Sequence, residues 1–368
     1  MSEYRLDELC EILDSKRVPL SAMQRAKRKG PYPYYGAQSV IDHVDDYLLD
    51  GEYLLVAEDG ANLVTRTQDI ANLVNGKIWV NNHAHILGYN GKCPLRLLGF
   101  LLNNSNISPY VTGCAQPKLN QENLRRITFS LPEKVDEVSS ILSSLDSKIE
   151  NNRKICANLE AQAQALFKHW FIDFAPFRDG KFVESELGMI PEGWRVNTID
   201  DFCRVFTGKK NTNQAENNGK YPFFSCAPNP LKSNDYLYDG YAIIIAGNGS
   251  YTGRTQLYNG KFDLYQRTYA CVAKERSFDK KIVFFYLVMK QTFEREKMGG
   301  TRGSSIPFIV MNDIAKQYFC YNEYIVTEFC NIVRPILDMT QALRIESSRL
   351  STLRDTLLPK LMSGEIKV

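Results

Sequence analysis

The sequence predicts an α+β chain in which two pseudo-twofold related small mixed α/β blocks are separated by two long antiparallel coiled-coil helices. Three observations predict it. At 368 residues the chain is longer than one compact core normally organises. Motifs from its first third return in the same order in its second half. After each copy, apolar positions fall in an alternation of four and three steps, the signature of a heptad seam.

Composition sets the class. Hydrophobic residues at 44%, charged at 24% and a mean hydropathy of −0.31 describe an ordinary globular protein rather than a disordered or fibrous one. The longest apolar runs, such as residues 282–289, fall short of the roughly 18 residues a membrane span requires, and the first thirty residues hold no signal-peptide pattern. The chain reads as cytoplasmic, with no membrane partner. Nine cysteines, an odd number without a C-x-x-C pair, read as reduced and mostly buried thiols rather than a zinc site or disulfide framework.

The first block opens on Leu6-Asp7-Glu8-Leu9-Cys10, echoed by Ile199-Asp200-Asp201-Phe202-Cys203. Tyr32-Pro33-Tyr34-Tyr35 returns as Tyr221-Pro222-Phe223-Phe224, and Asp46-Tyr47-Leu48-Leu49-Asp50-Gly51 as Asp235-Tyr236-Leu237-Tyr238-Asp239-Gly240. Gly76-Lys77-Ile78 pairs with Gly260-Lys261-Phe262, and Gln116-Pro117-Lys118-Leu119 more loosely with Ile306-Pro307-Phe308-Ile309. Residues 52–57 and 241–246 read as strands, with turn chemistry at Asp50-Gly51, Asn90-Gly91, Asp239-Gly240 and Asn259-Gly260.

The first seam runs through Val138, Leu142, Leu145, Ile149, Asn152, Cys156, Leu159, Ala163, Leu166 and Trp170. The second runs through Ile325, Phe329, Ile332, Ile336, Met339, Leu343, Glu346, Leu350, Leu353 and Leu357, with stop signals at Pro359 and Gly364. Each carries one polar interruption, Asn152 or Glu346, of the kind that fixes register, so the stripes read as a helix pair rather than as helices packed only on their own blocks. Because no helix precedes the first block, the two reach each other only by lying antiparallel. From 138 to 170 a helix rises about 48 Å, the length of roughly 14 base pairs of duplex.

Residues 159–177, LEAQAQALFKHWFIDFAPF, resemble the central conserved region of specificity subunits of type I restriction-modification systems. Leu187-Gly188-Met189-Ile190-Pro191-Glu192-Gly193-Trp194 is similar to the family's approach to its second target recognition domain, and residues 353–366 to its C-terminal helix. No counterpart of the Ile190-Pro191-Glu192-Gly193-Trp194 segment stands before the first block. The resemblance implies a first target recognition domain over 1–133, a central conserved coiled-coil helix over 134–172, a linker over 173–193, a second recognition domain over 194–323 and a C-terminal conserved helix over 324–368. It also implies a role: each recognition domain reads one half of an asymmetric bipartite site in double-stranded DNA, and the helices set the spacing and dock two methyltransferase subunits. On this reading the chain is not an enzyme and holds no cofactor. S-adenosylmethionine belongs to the methyltransferase partner, which flips its target adenine from the stack, and ATP and Mg to the restriction and translocase partner.

The segments nearest to catalytic motifs are each incomplete. Asn229-Pro230-Leu231-Lys232 lacks the second proline and the aromatic of an amino-methyltransferase loop. Gly247-Asn248-Gly249-Ser250-Tyr251-Thr252-Gly253 leads into a β-like stretch, not the helix a cofactor turn needs, and its first-copy equivalent is Glu58-Asp59-Gly60-Ala61-Asn62. Gly208-Lys209-Lys210 is no P-loop, since Cys203 stands where the first glycine belongs. His83 and His85 have no neighbouring acid or thiol to complete a metal set, and the second copy has Arg267 and Tyr269 there.

Candidates for DNA contact are basic and small polar residues gathered at matching places in both copies. In the first block they are Lys16, Arg17, Lys27, Arg28, Lys29, Asn62, Arg66, His83 and Lys118; in the second, Lys209, Lys210, Asn248, Ser250, Arg254, Arg267 and Arg302, the last within a basic, hydroxyl-rich stretch at 299–305. For the helix pair and subunit docking they are Leu142, Leu145, Ile149, Leu159, Leu166, Ile332, Ile336, Leu343, Leu350 and Leu357. No metal site is expected. The whole-chain charge of +3 conceals an asymmetry: residues 191–322 hold 18 basic and 12 acidic side chains, whereas residues 1–132 hold 14 of each. The competing readings are a coiled-coil protein-interaction scaffold without sequence-specific DNA binding, and a self-contained methyltransferase or nuclease, for which the motifs above are missing.

Overall fold

The computed structural model describes residues 2–113, 116–216, 218–293, 308–363 and 365–366. The chain divides into two compact units, Met1–Glu150 with Ser348–Val368, and Asn151–Ser347. Arg302 and the stretch 299–305 lie outside the described residues.

In the first unit the order is β1 (Ser2–Arg5), α1 (Leu6–Leu9), β2 (Cys10–Ile12), α2 (Ala22–Lys27), β3 (Lys29–Tyr35), β4 (Val40–Val44) and β5 (Leu49–Ala57). There follow α3 (Asn62–Thr65), β6 (Ala71–Val80), β7 (Ala84–Tyr89), α4 (Leu95–Asn104), α5 (Gln121–Arg125), β8 (Thr128–Leu131) and the start of the long α6 (Val135–Phe167). Six strands form one sheet in the order β2-β7-β5-β6-β3-β4, and β1 pairs with β8. The pleat sends Leu54 and Val56 of β5 to one face and Leu55 to the other. On the first face α4 buries Leu97, Leu98, Leu101 and Leu102.

The second unit holds the rest of α6, then β9 (Phe182–Ser185), β10 (Gly188–Pro191), β11 (Arg195–Thr198), α7 (Ile199–Phe202), β12 (Cys203–Thr207), β13 (Tyr221–Phe224), β14 (Leu231–Ser233) and β15 (Tyr238–Ala246). It continues with β16 (Thr255–Leu264), β17 (Thr268–Ala273), α8 (Ile282–Thr292), α9 (Met311–Ala315), β18 (Tyr318–Tyr321) and most of α10 (Glu323–Ser363). Its sheet runs β12-β17-β15-β16-β13-β14, and β11 pairs with β18. Strand for strand this is the order of the first unit, so the repeated motifs mark a repeated fold. The apolar run 282–289 is the buried middle of α8, every residue of it inside the core. Among the described residues no helix is long and apolar enough to cross a membrane.

Three of the glycine dipeptides read as turns are in fact mid-strand. Gly51 stands opposite Gly76 in the β5–β6 ladder, and Gly240 opposite Gly260 in β15–β16, at φ of 139°, 94°, 137° and 135°. A side chain would be strained at those angles, and paired glycines let both strands bend together.

The helices pair antiparallel within each unit. In the first, Val138 and Leu142 share a core with Leu358 and Leu361, and Arg354 donates to Asp146 at 2.7 Å. In the second, the two polar interruptions meet: Asn152 Nδ2 donates to Glu346 Oε2 at 2.6 Å, the Cys156 thiol to Thr340 O at 3.5 Å, and Arg344 pairs with Glu160.

The first seam keeps its expected phase, burying Val138, Leu142, Asn152, Cys156 and Ala163, whereas the second departs from it after Phe329. Leu142 is buried, and Leu145, Ile149, Leu159, Leu166, Ile336, Leu343, Leu350 and Leu357 are half-buried. Ile332, Met339 and Leu353 are instead 48%, 52% and 46% exposed, and α10 buries Val326, Val333, Leu337, Thr340, Leu358 and Leu361. A straight helix turns 3.6 residues, not 3.5, so a strict heptad drifts off the contact, and the ends of both helices pack into block cores instead of only against each other. At the end of α6 burial steps from Ala163 to Phe167 and Phe171, with Leu166 and Trp170 half-buried beside them, and Lys168–Ile172 forms a π turn. The helix also continues through Pro359, expected as its stop, because Leu358 and Leu361 anchor its last turn.

Candidate nucleic-acid interface

In each unit the central strands end where three loops converge. In the first, Glu58 N–H donates to His83 O at 2.9 Å and Leu119 N–H to Glu58 O at 2.8 Å, so the segments after β5, before β7 and before α5 are stitched by backbone. Four candidates fall on these loops or beside them: Arg17, Asn62, His83 and Lys118. Lys16 is exposed on the neighbouring 3₁₀ turn, Asp14–Lys16.

Beneath the loops lies a network that sequence order does not reveal, and it corrects the expectation that His83 and His85 have no acid beside them, since Asp59 and Asp14 stand there. His85 is fully buried, its Nδ1 2.6 Å from Asp14 Oδ2 and its Nε2 2.7 Å from Leu119 O. Asp14 also accepts from Ile86 N–H at 2.9 Å and Gln121 Nε2 at 3.0 Å. Arg17 reaches Glu58 Oε2 at 2.5 Å, and Lys118 Nζ reaches Glu58 Oε1 at 3.1 Å. Burial raises both carboxyls, but the hydrogen bond and charge of His85 hold Asp14 below the ordinary carboxylate range, and Arg17, His85 and Lys118 do the same for Glu58. Ligand atoms of Asp14, Glu58 and His85 lie within 4.8 Å of one another, the spacing of a metal set. The set does not fit a metal: both ring nitrogens of His85 already face oxygen acceptors, and two cations already neutralise the acids.

The remaining first-unit candidates divide. Lys27, Arg28 and Lys29 form a second group beside β4, where Arg28 lies 4.7 Å over the Trp79 ring and Arg28 and Lys29 pair with Asp45 and Asp42. The Lys29 hydrogen bond holds Asp42 down at about 2. Arg66 is turned inward: at φ 52° it donates from one terminal nitrogen to Leu102 O, Asn103 O and Ser105 O at 2.9, 2.7 and 3.2 Å, capping α4. Asn62 is likewise engaged, its Nδ2 on Gln68 O at 2.9 Å.

The second unit repeats the frame with other side chains. Gly247 N–H donates to Arg267 O at 3.0 Å and Ile309 N–H to Gly247 O at 2.8 Å, the same two stitches. Asn248 accepts from the Cys226 thiol at 3.1 Å, while Ser250, Arg267 and Lys209 are exposed. Arg254 is tied to Ala227 O and Pro228 O at 2.8 and 2.5 Å, and Lys210 to Asp263 at 2.7 Å and Asp235 at 3.1 Å. The surface polar groups that the frame presents are therefore unlike: Lys16, His83 and Lys118 in one unit, and Lys209, Asn248, Ser250 and Arg267 in the other.

The loops and sheets have known counterparts. The model of the type I restriction modification DNA specificity domain matches residues 1–161 and 191–320. The MjaIX specificity subunit of Methanocaldococcus jannaschii is 29% identical over 299 residues, 74% of this chain and 69% of that one. The HindI specificity subunit of Haemophilus influenzae is 22% identical across 97% of this chain and 91% of its own. Among solved structures, the type I restriction-modification S subunit from M. genitalium matches with a TM-score of 0.62 at 16% identity, covering 98% of this chain and 95% of that one. With two matched segments taking up most of its length, one in each repeat, the chain belongs to the type I restriction modification DNA specificity family, and recognising DNA is what it does.

Proposed function

We propose that each unit reads one half of an asymmetric, split DNA site, that the paired helices set the gap, and that methyltransferase subunits dock on the chain while it performs no chemistry itself. One observation carries this reading: two sheets of identical strand order present different side chains at matching loop positions, Glu58 and Gly247, Asp59 and Asn248, His83 and Arg267, Lys118 and Phe308. Identical frames with unlike readers suit two unlike half-sites, since base edges and not the uniform backbone carry sequence.

Docking finds support on α10. Tyr324, Ile332 and Met339, at 70%, 48% and 52% exposure, share the helix face turned away from its buried residues. In the assembled complex S-adenosylmethionine sits with the methyltransferase subunits, and ATP and Mg with a restriction partner.

Selection of random duplexes by the complex tests the proposal. A split motif with a fixed gap is expected, and exchanging the second unit's loops for those of another specificity subunit changes one half only. Loss or change of both halves overturns it, and absence of any motif favours the scaffold alternative.

A further inference from the structure

The two units differ at the loop end of the sheet but agree at the other end to the level of side-chain geometry. In the first, the Tyr32 and Tyr47 rings stand 5.2 Å apart at 59°, with Lys77 Nζ 4.6 Å over Tyr47 and 5.9 Å over Tyr32. In the second, Tyr221 and Tyr236 stand 5.2 Å apart at 65°, with Lys261 Nζ 4.5 Å over Tyr236 and 5.9 Å over Tyr221. Each lysine faces an aspartate across its ladder, Asp50 opposite Lys77 and Asp239 opposite Lys261.

Folding does not demand this agreement. Tyr47 and Tyr236 are 36% and 47% exposed, and Asp46, Asp50, Asp235 and Asp239 are all exposed. The rings nearest to the bend glycines are others, Tyr53 by Gly51 and Tyr238 by Gly240. A surface kept in duplicate, while the readers diverge, fits something met twice in the same form. Around each pair of rings two aspartates meet two cations, Lys77 and Arg28 in the first unit and Lys261 and Lys210 in the second, so the surface carries no excess of positive charge for a phosphate backbone. Exposed tyrosine is instead a side chain enriched at protein interfaces, and the acids suit the charged rim of one.

We propose that this Tyr–Tyr–Lys–Asp surface is a docking site for one copy of a single kind of protein subunit per unit, with basic side chains meeting Asp50 and Asp239. Resting on the function proposed above, the partner is the methyltransferase subunit, held by each unit through the same contacts.

The test uses the full chain with its methyltransferase subunit and native mass spectrometry. Asp50→Lys alters only the first surface and Asp239→Lys only the second; Tyr47→Ala and Tyr236→Ala are the second variants. Two partner copies on the wild type, one on either single-surface variant and none on the double variant, at concentrations ten-fold above the wild-type Kd, are expected. Retention of two copies by the double variants overturns the inference. So does retained stoichiometry with weaker binding to duplexes of any sequence, which makes the surface a phosphate contact. A wild type that binds fewer than two copies overturns the underlying function reading instead, so the two failures are distinguishable. Circular dichroism melting checks that the exposed substitutions leave the fold intact, and Tyr47→Phe with Tyr236→Phe is expected to keep both partners.

Discussion

The loop ends of the two units solve one structural problem with opposite chemistry. In the first, five ionisable groups, Asp14, Arg17, Glu58, His85 and Lys118, are linked at and beneath the loops. In the second the corresponding stitches enclose Gly247 and Tyr269, and Thr207 Oγ1 donates to the backbone at Gln266 O and Thr268 O, 2.9 and 2.8 Å away. A side chain at Gly247 is barred: its Cβ would lie 2.5 Å from Arg267 O and 2.6 Å from the Tyr269 ring. Glu58 with His85 and Gly247 with Tyr269 are therefore two coupled sets, and neither exchanges one residue at a time. The backbone stitches define the frame, and its filling is free to vary in concert.

Asp14→Ala is expected to have the largest effect, confined to the first unit. It removes the partner of His85, Ile86 N–H and Gln121 and leaves these buried polar groups unpaired, at a cost of about 3–5 kcal/mol. Hydrogen exchange is expected to rise across β7 and the 116–121 loop and to stay unchanged at 247–249 and 266–269. Equal loosening of both loop ends would mean that the network does not belong to one unit's frame.

Acid separates the units next. Asp14 and Glu58 titrate below their unfolded values in the folded chain, so their contribution is complete above the ordinary carboxylate range and is lost as pH falls through the lowered values. In exchange measurements from pH 6 down to pH 3, β7 is expected to lose protection before β17. The reverse order would show that the first network adds no stability.

How much of this was legible in the sequence follows from distance along the chain. The repeat was, because strand order is written in motifs that recur at nearly constant offset, and Asn152 and Glu346 were, because a polar residue in an apolar seam is a local signal. The Asp14–His85 pair was not: 71 positions separate its members, and neither residue is unusual where it stands. Arg66 and Arg254 looked like surface readers because basic residues in loops usually are, yet both guanidiniums are tied to backbone carbonyls that only the fold brings near. Ile332 was placed in the seam by counting in sevens, an error of one position that turns a helix face by about 100°.

The smallest expected effect bears most directly on reading. His83 and Arg267 occupy the same stitch, each giving its carbonyl to the opposing strand's loop while its side chain stays exposed. If these positions face base edges, Arg267→Ala removes about 1–3 kcal/mol of discrimination at one position of the second half-site and leaves the first half-site unchanged. His83→Ala does the converse, more weakly, because imidazole offers fewer donors than guanidinium and here is held 2.6 Å from Asp59. The measurement is competition between duplexes bearing single substitutions in either half, at fixed salt. A uniform loss across all duplexes, with the log–log salt slope reduced by about 0.9, would assign Arg267 to the phosphate backbone and transfer base reading in the second unit to its neighbours Asn248 and Ser250.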